Sequence, residues 1–152
     1  MVLKQKNLAD EAATRALGAA LAPVLRQGDV IRLEGDLGAG KSTLARALIA
    51  ALTGVEGAPS PTFTLVETYD GPDFPLWHFD LYRLEAPDDV WELGLEEALD
   101  GAATLIEWPG RIEGLLPPGA LTVRLQADGA ERRVVFEGDE SWKARLEAAG
   151  IA

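Results

Sequence analysis

Gly35-Asp36-Leu37-Gly38-Ala39-Gly40-Lys41-Ser42 is the stretch whose reading decides the fold. It fits the pattern G-x-x-x-x-G-K-[ST] in full. The apolar run Val30-Ile31-Arg32-Leu33 before it reads as a strand, and the pattern from Lys41 to Leu52 after it reads as a helix. That strand, loop and helix setting is the one the motif requires. Glycines let successive backbone N–H groups turn inward around phosphate oxygens, and the start of the following helix adds unpaired N–H groups and its positive dipole end. Residues Gly35 to Thr43 therefore read as a nucleotide-binding cradle, with Lys41 reaching the β- and γ-phosphates and the Ser42 hydroxyl ligating Mg²⁺. Thr43 either supports the phosphates or hydrogen-bonds the helix backbone. A glycine-rich turn with an incidental lysine is the bland alternative, and the flanking pattern weighs against it.

Upstream of this motif, Asn7 is placed to cap a first helix with Asp10 in its first turn. Leu17, Leu21, Val24 and Leu25 form that helix's apolar side, and Gly18 permits close packing. Met1 to Leu3 is a short edge-strand candidate. Downstream, Thr53-Gly54 ends the motif helix and residues 57–61 form a loop. Thr62 to Tyr69, Leu76 to Asp80 and Ala103 to Glu107 read as strands, with short helical segments at Pro87 to Glu92 and Glu96 to Leu99. Ala120 to Gln126 and Glu131 to Gly138 make a hairpin candidate, and Asp139 caps a final helix containing Trp142, Leu146 and Ala149. The expected architecture is α/β: a single-domain, P-loop NTPase-like, three-layer fold over residues 1–152, with a mixed β-sheet and a C-terminal antiparallel hairpin.

The 152 residues are 47% hydrophobic and 26% charged, an ordinary globular composition with enough chain for a sizeable core. No run is long enough to cross a membrane, and the lysines within Met1 to Lys6 are not followed by an apolar signal core, so the cytoplasm is the expected location. With one histidine and no cysteine, a structural zinc site is excluded in practice, which leaves oxygen ligands and Mg²⁺. The net charge of −11 argues against a broad nucleic-acid surface of its own. Acids gather from Asp88 to Asp100, either as a solvated helical face or as a docking surface for a basic partner.

A working phosphate site also needs groups that hold Mg²⁺ and the attacking water. Asp80 and Glu107 each end an apolar strand, where ligands of α/β sheets collect. Asp80 is the stronger Mg²⁺ candidate, with capping as its alternative role. Glu107 either ligates Mg²⁺, orients water as a base, or makes a strand-end salt bridge. Thr62 and Thr64, in Ser60-Pro61-Thr62-Phe63-Thr64, read as switch-like γ-phosphate sensors or as ordinary strand starters. Arg83 pairs with a carboxylate, contacts phosphate, or lies in a surface ion pair. His78 reads as a packed, hydrogen-bonded histidine rather than a catalyst. Trp77, Trp91 and Trp142 read as packing residues, whereas Trp108 shields the candidate site or packs beside it.

The order and spacing of four segments are similar to the bacterial TsaE family, also called YjeE. These are Gly35 to Thr43, Ser60-Pro61-Thr62-Phe63-Thr64-Leu65, Phe79-Asp80-Leu81-Tyr82-Arg83-Leu84, and Ile106-Glu107-Trp108-Pro109. The resemblance runs from about Leu17 through Pro117. Ser42 stands where family members often have threonine, and it keeps the metal-binding oxygen. The resemblance implies a small ATPase using ATP and Mg²⁺ in formation of tRNA N6-threonylcarbamoyladenosine. Such proteins work with TsaD and TsaB, and the tRNA is reached through that complex. It further implies that Lys41 and Ser42 serve the nucleotide and metal, that Asp80 and Glu107 are the site acids, and that Thr62, Thr64 and Trp108 lie in mobile or signature positions. The isolated chain is expected to be a monomer. A small-molecule P-loop kinase and a noncatalytic nucleotide-dependent interaction module are the rivals. No Asn-Lys-x-Asp sequence supports guanine recognition.

Overall fold

A computed structural model describes residues 1–151. Seven strands form one mixed sheet: β1 Val2–Leu8, β2 Val30–Glu34, β3 Val66–Tyr69, β4 Leu76–Asp80, β5 Ala103–Glu107, β6 Leu121–Asp128 and β7 Glu131–Glu137, in the spatial order β1-β7-β6-β2-β5-β4-β3. The centre, β6-β2-β5-β4, is parallel, while β7 and β1 on one flank and β3 on the other run antiparallel to their neighbours. Alternation along the central strands divides the core between two faces. Ile31, Leu33, Leu105 and Val123 pack against α1 (Glu11–Leu21), α2 (Lys41–Thr53) and α4 (Glu140–Ala148). Val30, Phe79 and Ile106 pack on the other side against Val90, Ile112 and the residues of α3 (Leu95–Gly101). The expected three layers and terminal hairpin are present. Among the described residues no helix is long and apolar enough to cross a membrane.

The sequence of α2, Lys-Ser-Thr-Leu-Ala-Arg-Ala-Leu-Ile-Ala-Ala-Leu-Thr, is rich in good helix formers. It buries Leu44, Ala45, Leu48 and Ile49, and each buried leucine contributes about 1.5–3 kcal/mol of transfer free energy. Gly54, at φ 80°, stops it with an N–H donated to the Ala50 carbonyl. Helix α1 lies against it. A β-carbon at Gly18 would sit 2.4 Å from the Leu44 carbonyl oxygen, so the glycine sets how closely the two helices approach.

Four sequence expectations need correction. Asn7 does not cap α1. It belongs to β1, which is longer than the expected Met1 to Leu3 because it pairs with β7 as far as Leu8. Asp10 is the cap, its Oδ1 accepting from the Ala13 N–H at 2.9 Å. The strand expected from Thr62 begins only at Val66. The Leu65 N–H closes back on the Pro61 carbonyl at 2.7 Å, and Leu65 takes a left-handed φ of 69°, which withdraws Thr62 to Thr64 from the ladder, while the Leu65 carbonyl still accepts from the Asp80 N–H at 2.9 Å. Trp91 is 42% exposed rather than packed, whereas Trp142 is buried as expected.

Candidate functional site

The site is built where four chain segments meet at the carboxyl end of the parallel centre. Register places Glu107 at the end of β5 directly between Leu33 of β2 and Asp80 of β4. The loop from β2 to α2 therefore arches over the two strand-end acids. Its shape depends on glycine at Gly35, which has φ 146° and where a β-carbon would meet the Leu125 carbonyl oxygen at 2.5 Å. Gly40 enters α2 in a left-handed conformation with φ 105°. Aspartates cap α1 and α4, but no side chain caps α2, so its first-turn N–H groups stay open to a ligand.

A cleft of about 250 Å³ is lined by the loop (Leu37, Gly38, Gly40, Lys41, Ser42, Thr43), by Ser60 and Thr62, and by Asp80, Glu107 and Trp108. Lys41 is buried. Its Nζ donates to the Gly35 carbonyl and lies 3.8 Å from the centroid of the Trp108 ring, a cation–π contact. Burial holds the ammonium below the usual lysine range, opposed by the charges of Glu107, Asp80 and Asp36. Asp80 accepts from the Tyr82 N–H at 3.1 Å and from the Thr62 hydroxyl at 3.3 Å. Burial pushes its carboxyl above the usual range, against those two hydrogen bonds and together with the neighbouring Glu107 charge. Trp108 follows β5 at φ 59°, ψ 49° and meets the Tyr82 ring at a tilt of 53° with centroids 4.9 Å apart.

The structure thus gathers Lys41, Ser42, Thr43, Thr62, Asp80, Glu107 and Trp108, and it separates Thr64 and Arg83 from them. Thr64 donates to Glu67 at 3.1 Å, and the Arg83 guanidinium rests 4.7 Å over the exposed Phe63 ring. Arg83 pairs with no carboxylate among the described residues. Ser60, Tyr82 and His78 are members of the neighbourhood that the sequence did not single out as site residues. The Ser60 hydroxyl shares a 2.8 Å hydrogen bond with Thr62. His78 is packed and hydrogen-bonded as expected, but its partner is Glu107, at 2.7 Å. The signal for it was available, since His78 stands two residues before Asp80 and so faces the same side of β4.

The donor set fits Mg²⁺. Ser42, Thr62, Asp80 and Glu107 offer hard oxygen atoms on one cleft. Among the described residues no three histidine or acidic side chains could hold a metal unaided. This suits an ion that keeps waters and shares its coordination with substrate phosphates.

Known proteins resemble the chain over this whole region. The family described as "Threonylcarbamoyl adenosine biosynthesis protein TsaE" matches residues 8–135, which include every segment of the cleft. The tRNA threonylcarbamoyladenosine biosynthesis protein TsaE of Rickettsia conorii is 42% identical over 129 residues, 84% of this chain and 74% of that protein. The TsaE of Bacillus subtilis is 37% identical over 123 residues, 80% of this chain and 77% of that protein. The crystal structure of YdiB from B. subtilis superposes with a TM-score of 0.78 at 31% identity, covering 99% of this chain and 96% of that one. On sequence and fold together, the chain belongs to the TsaE family.

Proposed function

We propose that this protein is a Mg²⁺-dependent ATPase that supports formation of N6-threonylcarbamoyladenosine in tRNA through nucleotide-dependent interaction with TsaD and TsaB. The observation that carries the reading is the convergence of Lys41 and Ser42, on the loop into α2, with Asp80 and Glu107, at adjacent strand ends, on one cleft. The loop amides, the open end of α2 and Lys41 bind the β- and γ-phosphates. Ser42 and Asp80 would hold Mg²⁺, and Glu107 would either ligate it or orient the attacking water. When bound, Mg²⁺ offsets the negative charge shared by phosphates and acids. As the base, Glu107 would orient the water and take its proton as the water oxygen bonds to the γ-phosphorus and the bond to the ADP oxygen breaks. Trp108, with Tyr82 packed against it, walls the cleft and limits water access. A second cleft of about 280 Å³ borders the same loop, between Leu8, Asp10, Thr14, Thr43 and Arg132, and has room for the nucleoside.

Family membership supports the assignment to tRNA modification. The kinase alternative draws less support, because Arg83 and Arg111 rest near aromatic rings, 4.7 Å over Phe63 and 5.9 Å over Tyr82, outside the phosphate cleft. The test is ATP turnover across a Mg²⁺ titration, by the chain alone, with each partner and with both. Weak turnover alone and stimulated turnover in the complex are expected. D80A should lose the Mg²⁺ response while staying folded, and E107Q should lose turnover by roughly 10²-fold while still binding ATP. Phosphate transfer to a small acceptor without partners would establish the kinase. Normal nucleotide-dependent association with no turnover would establish a noncatalytic module.

A further inference from the structure

Glu107 is buried at 2% exposure, yet Lys41, the cation nearest the site, donates to the Gly35 carbonyl rather than to it. A buried carboxylate needs hydrogen-bond donors, and one left unpaired is costly. Its donor is the imidazole of His78, itself 2% exposed, with Nε2 at 2.7 Å from Glu107 Oε2. An ionised carboxylate only accepts, so Nε2 carries the hydrogen in this contact. Glu107 Oε1 takes no hydrogen bond among the described residues. The bond therefore commits one oxygen and leaves the other to serve the cleft.

The histidine is in turn fixed by its strand. Across β4 it stands between Glu67 of β3 and Leu105 of β5, and its Nδ1 is buried without a partner. Glu67 accepts from Thr64 in the turn that closes at Leu65. The ring thus has a single polar anchor, Glu107, and gains nothing by turning elsewhere.

We infer that His78 is a positioning residue: it holds the Glu107 carboxylate in the orientation that presents its second oxygen to the water or metal of the cleft. The inference rests on the reading of Glu107 given under Proposed function. A misdirected carboxylate about 1 Å from its working place loses on the order of 10²-fold in rate, while phosphate binding through the loop and Lys41 is untouched.

The experiment compares H78L, H78Q and H78N with E107Q, measuring kcat and KM for ATP in the complex with TsaD and TsaB, ATP affinity of the chain alone, and the thermal midpoint. H78L should lower kcat by roughly tenfold or more with ATP affinity within about threefold of the parent. Glutamine places an amide N–H near the original Nε2 and should restore most of the rate, whereas asparagine is too short and should not. A kcat within about twofold of the parent in H78L overturns the inference, as does equal loss in H78Q and H78N accompanied by loss of ATP affinity. If H78L fails to fold, the contrast between H78Q and H78N decides. If E107Q keeps full turnover, the reading of Glu107 falls first. If E107Q is dead and H78L is normal, only the role of His78 falls.

Discussion

Two walls of the same cleft are made in opposite ways. The loop from Gly35 to Ser42 is clamped between a buried strand and a buried helix. Ala39 and Lys41 are buried, and Gly35 sits so close to β6 that no side chain fits. The facing turn from Pro61 to Leu65 hangs on few bonds. Thr62 touches Ser60 and the Asp80 carboxylate, Thr64 donates to Glu67, Leu65 closes on Pro61 and accepts from the Asp80 N–H, and the tip residue Phe63 is 81% exposed. One wall is a mould fixed by covalent geometry and packing, whose shape a ligand meets ready-made. The other is held by contacts to the very acid that a cation would claim, so it can respond to what fills the cleft.

The largest test of this contrast is at the mould. K41A removes the buried ammonium and should lower ATP affinity or turnover by 10²-fold or more while the chain stays folded, as calorimetric titration and steady-state turnover would read. Near-normal values would remove the lysine from the phosphate site. G35A should act through the fold instead. Its β-carbon would collide with the Leu125 backbone at a φ few residues adopt, at a cost of about 2–4 kcal/mol in denaturant unfolding. A G35A protein of parental stability would show that the loop can relax, and the two walls would then differ less than claimed. Changes in the turn should be the smallest. T62V removes the hydroxyl that bonds Ser60 at 2.8 Å and Asp80 at 3.3 Å, and should cost about 1 kcal/mol of stability and a few-fold in turnover. Loss in T62V as large as in K41A would mean that the turn is part of the mould.

The fixed wall was the legible one. A G-x-x-x-x-G-K-[ST] spacing between a strand and a helix leaves the backbone little choice, and β2, β4 and β5 fell where their apolar runs placed them. The turn was misread as strand for a physical reason. Thr62, Phe63 and Thr64 have high β-propensity, but an i to i+4 closure and a left-handed leucine override it, and neither is marked by glycine. The start of α1 was misplaced because both Asn7 and Asp10 suit a cap, and only the pairing of β1 with a distant strand decides between them. Partners across strands were likewise out of reach. Strand-end positions made Asp80 and Glu107 candidates, but their adjacency, and the donation of His78 to Glu107, depend on the sheet order.

That order also sets a timetable. The loop, α2, β4, β5 and β6 are all present once the chain has been made through Asp128, so the cleft can assemble before the sheet is whole. β1 is made first, yet its neighbour β7 is nearly the last element made. During synthesis β1 therefore waits without a partner until residues 131–137 appear, and closing so long a loop is an entropic cost met late. Chains halted short of β7 would have a nearly complete cleft, an unpaired first strand and an open edge on β6, where neighbouring chains could add.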